Sequence, residues 1–214
     1  MDKALVYFAD PMCSWCWGFS PAIARVASEH THEMPLTVVM GGLFAGTART
    51  WDDHTKTTIK EHWHHVEEAS GQPFDHRFFE REDFIYDTEP SCRAVVTARR
   101  MSQHNALPFL AALQGAFYRD GRDITRKEIL IEIASEFGID GDAFDASFDS
   151  PETLDETQRD FALSQRAGVQ GFPTLMGLAN GQPMLLSPGF QSDETIDLIL
   201  QRFIDYLPPA TEPA

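Results

Sequence analysis

The alternation of apolar and polar positions divides the chain into three parts, and the first part predicts a strand-helix-strand unit. Residues 4–9 and 36–40 are short apolar runs rich in β-formers, which indicates two buried strands. Between them, Phe19, Ile23 and Val26 recur at helical spacing. Strands that a helix connects usually pair in parallel. Residues 1–43 are therefore predicted to form a β-α-β unit.

The middle part carries helix signals and no strand pattern. Helices are predicted over residues 54–70, 90–101, 108–117, 125–137 and 151–166. Thr125 and Glu128 match a capping box, and Gly138 stands where that helix should end. Ser150 and Pro151 supply a cap and a first-turn proline for the last of these helices. We therefore predict an all-helical insertion domain over residues 44–168.

The last part returns to strands. Residues 174–179 and 182–187 flank Asn180-Gly181, which is the strongest short signal for a β-hairpin. A final helix is predicted from 192 to 207, and residues 210–214 are predicted to be a loose tail. Residues 1–43 and 169–209 would then form one discontinuous domain. The predicted fold class is α/β, with β-α-β, a large helical insertion, and then a β-hairpin and a helix.

Composition restricts where such a protein works. The 214 residues are 43% hydrophobic, and no apolar run approaches the 18 residues of a membrane span. The net charge of −16 argues against nucleic acid and anionic membranes as partners. Residues 1–3 lead into the first strand without a signal-peptide pattern, and three cysteines are too few for a secreted disulfide framework. A cytoplasmic location is predicted.

The candidate chemistry lies where the first predicted strand passes into the first helix. Cys13 falls at the helix start, where unpaired N–H groups and the helix dipole favour a thiolate. Cys16 follows one turn later on the same face, within reach of a disulfide. We expect an exposed Cys13 and a more buried Cys16 that act as a redox pair. The competing interpretation, two structural thiols, fits this position less well.

Two further groups of residues have competing interpretations. Cys92 is most simply a small buried side chain, and its functional alternative is a thiol near the pair that can form a second disulfide. A histidine cluster resembles a metal site, but a solvated helix face is the preferred interpretation. Its members are Glu61, His62, His64, His65 and Glu67. No metal ligands are predicted.

Cys13-Ser14-Trp15-Cys16 after a strand, together with residues 169–174 before a hairpin, resembles the thioredoxin superfamily. The large helical insertion resembles its DsbA-like branch. Residues 86–94 and the run from Cys13 to Phe19 resemble bacterial thiol-disulfide oxidoreductases without a signal peptide. The resemblance implies dithiol–disulfide exchange with Cys13 as nucleophile and Cys16 as resolving thiol, and it implies no dissociable cofactor.

The resemblance also implies a substrate site. It makes Phe172–Pro173 a candidate cis peptide bond, with Thr174 next to it, beside Cys13. Phe172, Pro173 and Thr174 would dock an extended substrate chain by strand addition. Ser14 and Trp15 lie between the two cysteines, and Trp15 should be exposed and contact the same substrate.

Two departures from the superfamily pattern stand near the pair. Tyr7 occupies the position where relatives keep a buried acid, so Asp10 becomes the nearest accessory carboxyl. The Ser14-Trp15 pair matches neither the Gly-Pro of thioredoxins nor the Pro-His of strong periplasmic oxidants. Reductase, isomerase and oxidase therefore all stay open.

Partners and rival functions follow from the same comparison. The expected partners are proteins or peptides that carry thiols or disulfides, with glutathione as a further candidate, and a reductase or oxidant that recycles the pair. Glutathione-dependent isomerases and transferases of the kappa class resemble this architecture, but they typically carry Ser at the position of Cys13 and lack the second cysteine. A third hypothesis is a holdase or partner-binding module whose helical block binds unfolded chains.

Overall fold

The secondary structure follows the predicted order of strand, helix and strand, a long insertion, and a hairpin with a helix. The structure, a computed structural model, describes residues 3–30, 34–47 and 49–206. Its elements are β1 (Lys3–Ala9), α1 (Ser14–His30), β2 (Leu36–Met40), β3 (Arg49–Thr50), α2 (Asp53–Ser70), β4 (Ile85–Tyr86), α3 (Glu89–Met101), α4 (Ala106–Gln114), α5 (Lys127–Phe137), α6 (Gly141–Phe148), α7 (Pro151–Arg166), β5 (Thr174–Ala179), β6 (Gln182–Ser187) and α8 (Asp193–Asp205). Single turns of 3₁₀ helix lie at His76–Glu80 and Gln103–Asn105, and a π-helical turn lies at Gly115–Arg119.

The sheet has four strands in the order β2-β1-β5-β6. β1 pairs in parallel with β2 and antiparallel with β5, and β5 and β6 form the hairpin. Asn180 and Gly181 turn that hairpin with φ angles of 51° and 77°, the left-handed region that a two-residue turn requires. The predicted α/β fold class is confirmed. Because β1 lies in the middle of the sheet, the loop that follows it is held between both halves of the chain.

The insertion is mainly helical, but three details of its prediction are wrong. β3 and β4 form a two-stranded ladder, so the insertion is not all-helical; strands of two residues are too short to show an alternating pattern. α6 was not predicted. The capping box at Thr125 does not form, because the Thr125 hydroxyl donates to Asp123 Oδ1 at 2.6 Å and α5 begins after Arg126 without a side-chain cap.

A buried ion-pair cluster joins the insertion to the sheet. Arg99 of α3 donates from Nη1 to the Val38 carbonyl oxygen and to Asp160 Oδ2, both at 2.8 Å. Asp160 of α7 also accepts the Met40 N–H at 2.9 Å, and Glu156 accepts from Arg99 at 2.8 Å. Burial raises the pKa of the Asp160 carboxyl, while its bonds to Arg99 oppose that shift. The insertion is thus held against β2 by hydrogen bonds to the β2 backbone, and the groups that make them are joined by ion pairs.

The chain ends lie partly outside this description. The predicted tail over residues 210–214 and the predicted end of the last helix at 207 fall outside the described residues, and α8 is described as far as Asp205. Among the described helices, none combines the length and the apolar character that a membrane crossing needs.

Candidate active site

The two paired cysteines lie at the start of α1, where the chain leaves β1. The Cys13 N–H donates to the Asp10 carbonyl oxygen at 3.1 Å, and the Cys16 N–H donates to the Cys13 carbonyl oxygen at 3.0 Å. Both are free thiols. Cys16 is fully buried, as expected, but the predicted exposure of Cys13 is wrong: its side chain is only 6% exposed. The loop before β5 lies against the Cys13 sulfur, and this contact explains the low exposure.

The surroundings of the two thiols differ. Burial raises the pKa of the Cys16 thiol well above its usual value, and a hydrogen bond with Cys13 and the negative charge that Cys13 can carry raise it further. The Tyr7 ring packs behind the pair, and burial, followed by the charge that Cys16 can carry, raises the pKa of its hydroxyl. The Cys16 thiol and the Tyr7 hydroxyl therefore both stay protonated near neutral pH.

The loop before β5 supplies the partner of Cys13. The Cys13 thiol donates to the Phe172 carbonyl oxygen at 3.3 Å, and the Phe172–Pro173 peptide bond is cis. The Phe172 ring lies directly on Gly41, so closely that a Cβ atom at Gly41 would stand 2.0 Å from Phe172 Cζ. Gly41 therefore lets the ring approach this backbone.

A cavity of about 290 Å³ opens beside Cys13. Of the predicted substrate-contacting residues, Ser14, Trp15 and Phe172 line it. Pro173 is buried and not among its lining residues, and the Thr174 hydroxyl donates to the Gly171 carbonyl oxygen at 2.7 Å instead. These two residues shape the turn behind the cavity. The predicted exposure of Trp15 is also wrong, because its ring is half-buried 5.4 Å from that of Phe190.

The far wall of this cavity comes from the insertion and from the loop after β2. Its members include Leu43, Phe44, Ile59, His62, Trp63 and Tyr86. Ile59 and Trp63 belong to the helix predicted over residues 54–70, but the sequence gave no sign that they face Cys13. The Tyr86 hydroxyl donates to the Met12 carbonyl oxygen at 2.7 Å, so the insertion also holds the loop before Cys13 in place.

The two accessory residues, Asp10 and Cys92, meet beneath the same loop. The fully buried Asp10 carboxylate accepts the Met12 N–H at 2.8 Å, the Leu43 N–H at 2.7 Å and the Cys92 thiol at 3.3 Å. Burial raises the pKa of Asp10, and these hydrogen bonds oppose the shift. Burial, followed by the charge of Asp10, raises the pKa of Cys92 well above its usual value. Cys92 is thus a buried thiol that donates to Asp10.

One histidine group has the donor set of a metal site. His64, Glu67 and His76 place one ligand atom each within 4.8 Å of one another, and His76 Nε2 lies 3.1 Å from Glu67 Oε2. Two imidazoles and a carboxylate are ligands that Zn²⁺ accepts. The histidine cluster seen in the sequence, for which a solvated helix face was the preferred interpretation, shares only His64 and Glu67 with this group, since His76 comes from the 3₁₀ turn after α2. None of the three lines the cavity beside Cys13.

Both a family model and solved structures match this chain, and they agree on a thioredoxin fold. The family described as Thioredoxin matches residues 7–182. A crystal structure of a candidate protein disulfide isomerase from Nitrosomonas europaea is 33% identical, covers 95% of this chain and 98% of its own, and superposes with a TM-score of 0.88. The cytosolic disulfide reductase DsbM from Pseudomonas aeruginosa, solved with GSH, is 25% identical over 94% of this chain and 99% of its own, with a TM-score of 0.76.

The curated relatives are named as adapter proteins and not as disulfide enzymes. The ClpXP adapter protein SpxH of Bacillus subtilis (strain 168) is 22% identical over 208 residues, which are 96% of this chain and 69% of that protein. The chain is thus similar both to disulfide oxidoreductases and to a proteolytic adapter.

Proposed function

The chain belongs to the thioredoxin family, in its DsbA-like branch with a helical insertion, and on that premise we propose that it is a thiol-disulfide oxidoreductase. Cys13 is the proposed nucleophile and Cys16 the resolving thiol. One observation carries the proposal: Cys13 lines the cavity beside the Phe172 carbonyl, while Cys16 lies one helical turn behind it with no exposed surface.

The exchange needs no dissociable cofactor. The Cys13 thiolate attacks one sulfur of a substrate disulfide, an S–S bond forms between Cys13 and substrate, and the second substrate sulfur leaves as a thiolate that takes a proton. Cys16 then gives up its proton and attacks Cys13 Sγ. The Cys13–Cys16 disulfide forms, the bond between Cys13 and the first substrate sulfur breaks, and that sulfur leaves as a thiolate that takes a proton. Two electrons pass from the protein pair to the substrate, and the reverse sequence oxidises a substrate dithiol.

The cavity beside Cys13 is the proposed substrate site. The Phe172 carbonyl, which accepts the Cys13 thiol, loses that donor when Cys13 ionises and becomes available to a backbone N–H of the substrate. Ser14 and Trp15 would contact the same chain, while Pro173 and Thr174 hold the turn. We propose proteins or peptides as substrates. Because the related DsbM structure was solved with GSH, glutathione is the proposed small-thiol partner.

The proposed location is the cytoplasm, where a reductase or oxidant must restore the pair after each turnover. The related DsbM is described as cytosolic, and this supports the location. Asp10 and Cys92 are proposed as accessory residues that hold the loop before Cys13, since both side chains bond beneath it.

The test is to trap the mixed disulfide. Cys16→Ser leaves the attacking thiol in place but removes the resolving one, so covalent adducts with a disulfide-bearing protein should accumulate on non-reducing gels. Cys13→Ser should trap nothing, and Cys92→Ser is the matched control that should turn over without accumulating adducts. Adducts on Cys13→Ser, or on neither variant of the pair, would contradict the assignment.

A second candidate function is an adapter that delivers partners to a protease, and the similarity to SpxH over 96% of the chain favours it. An adapter, like a holdase, would bind its partner without Cys13 and Cys16. A glutathione transferase or isomerase would instead keep turning over when only Cys16 is replaced. Partner binding by the double Ser variant and glutathione-dependent turnover by Cys16→Ser, each measured beside disulfide exchange, together separate the three hypotheses.

A further inference from the structure

A second and larger cavity, of about 600 Å³, lies between the first half of the sheet domain and the insertion. α1 and β2 form one wall and α4 the other. Apolar side chains dominate these walls, among them Ile23, Leu36, Leu107 and Leu110. Its volume falls within the range of small-molecule sites, roughly 300–1,000 Å³.

No charged side chain of the described residues lines this cavity. The lining contains no Lys, Arg, Asp or Glu, and its titratable members are Tyr7 and His104. An ionised ligand would lose its water there without gaining an opposite charge, which is costly. The lining therefore selects an uncharged ligand.

One buried polar group of the lining has no hydrogen-bond partner among the described residues. Gln114, the last residue of α4, is 1% exposed, and its side-chain amide N–H₂ finds no acceptor there. More than nine-tenths of buried polar groups in proteins are paired, and an unpaired donor costs about 1–3 kcal/mol. The Gln114 amide therefore favours a ligand that brings an acceptor.

We propose that this cavity binds a neutral, mostly apolar small molecule with a carbonyl oxygen. The apolar body packs between α1 and α4, and the carbonyl oxygen accepts from the Gln114 amide. The site is separate from the cavity beside Cys13, because Gln114 and the other lining residues of the large cavity do not line the small one. Binding does not depend on the proposed redox function.

The probe for the test is 6-propionyl-2-dimethylaminonaphthalene, an uncharged naphthalene ketone whose fluorescence shifts to the blue in apolar surroundings. Titration of the full-length protein should give saturable binding with one site per chain. The anionic 8-anilinonaphthalene-1-sulfonate should not displace it. Gln114→Leu removes the donor at nearly constant volume and should raise the dissociation constant about three- to tenfold, the value of one hydrogen bond. Without ligand it should be no less stable than wild type.

Two tryptophan variants locate the probe. Ala24→Trp places a ring on an exposed lining position of α1 and should abolish binding, while the control Leu154→Trp lies on exposed α7 outside the cavity and should not affect it. Absence of saturable binding would overturn the proposal, and so would equal affinity of the two folded tryptophan variants. An unchanged dissociation constant in Gln114→Leu would refute the carbonyl assignment, because it would show that the Gln114 amide does not bond to the probe in the wild-type protein.

Discussion

Replacing Arg99 by Met should be among the most damaging single changes outside the active site. The Arg99 side chain is 5% exposed and lies between the Asp160 carboxylate, the Glu156 carboxylate and the Val38 carbonyl oxygen. Met matches the stem of Arg as far as Nε and is a good helix former, so the change removes the guanidinium with its charge and five donors while keeping the packing of the stem.

The magnitude follows from what the substitution leaves behind. Asp160, 7% exposed, would keep its charge without a cation, and removal of one partner of a buried pair costs about 3–5 kcal/mol. Glu156 retains its bond to Arg100 at 3.0 Å, so the main loss falls on Asp160. The pKa of Asp160 would rise further in the variant. The difference in unfolding free energy between wild type and Arg99→Met should therefore be largest at neutral pH. It should decrease as the pH falls toward about 4 and the Asp160 carboxyl takes up a proton.

Urea unfolding followed by circular dichroism measures this loss. With a slope of about 2–3 kcal/mol per molar urea, the midpoint should fall by about 1–2.5 M. The control Arg159→Met breaks an exposed pair with Asp155 on α7 and should cost no more than about 0.5 kcal/mol. Asp160→Asn added to Arg99→Met should restore part of the stability. Equal midpoints for Arg99→Met and Arg159→Met, or no recovery in the double variant, would refute the argument.

Two further predictions concern the loops around Cys13. In Gly41→Ala the new methyl group collides with the Phe172 ring, so the folded variant should exchange disulfides with a peptide about ten- to a hundredfold more slowly. The control Gly189→Ala, with open space around its Cβ, should keep the wild-type rate in the same assay. Burial raises the pKa of Asp10, so the stability that depends on this carboxyl is greatest below its unfolded pKa of about 4 and falls as the pH rises through the folded pKa. Asp10→Asn should therefore gain stability relative to wild type from pH 4 to 7 in urea unfolding, and a difference independent of pH would contradict this.

Much of the fold was predictable because its signals are local. Asn180-Gly181 specifies a tight turn by its own backbone preferences, and Gly138 ends α5 with a φ of 96°. α6 also had a local signal that went unused, since Asp140 caps it by accepting the Ala143 N–H at 2.8 Å. The β3–β4 ladder had none, because two residues per strand cannot show a period.

The site was predictable only in part, because its walls come from distant segments. The Cys13–Cys16 spacing and the turn at Phe172 belong to short motifs and could be identified directly. The burial of Cys13 depends on the distant loop before β5. The contribution of Trp63 and the bond from Cys92 to Asp10 depend on how the insertion packs over the sheet. Cys92 and Asp10 are 82 residues apart, and no local pattern encodes that contact.

The separation between Cys13 and Phe172 along the chain affects the order in which they are made during translation. They are 159 residues apart, and ribosomes add about 5–20 residues per second, so Cys13 is made roughly 8–32 s before its partner loop. During that interval β1 can pair with β2 but not with β5, because β5 has yet to be synthesised. The nascent chain therefore carries both thiols through most of its synthesis before the loop that covers Cys13 exists. Its cysteines are therefore unprotected at first, and the proposed exchange can become selective only when the last fifth of the chain arrives.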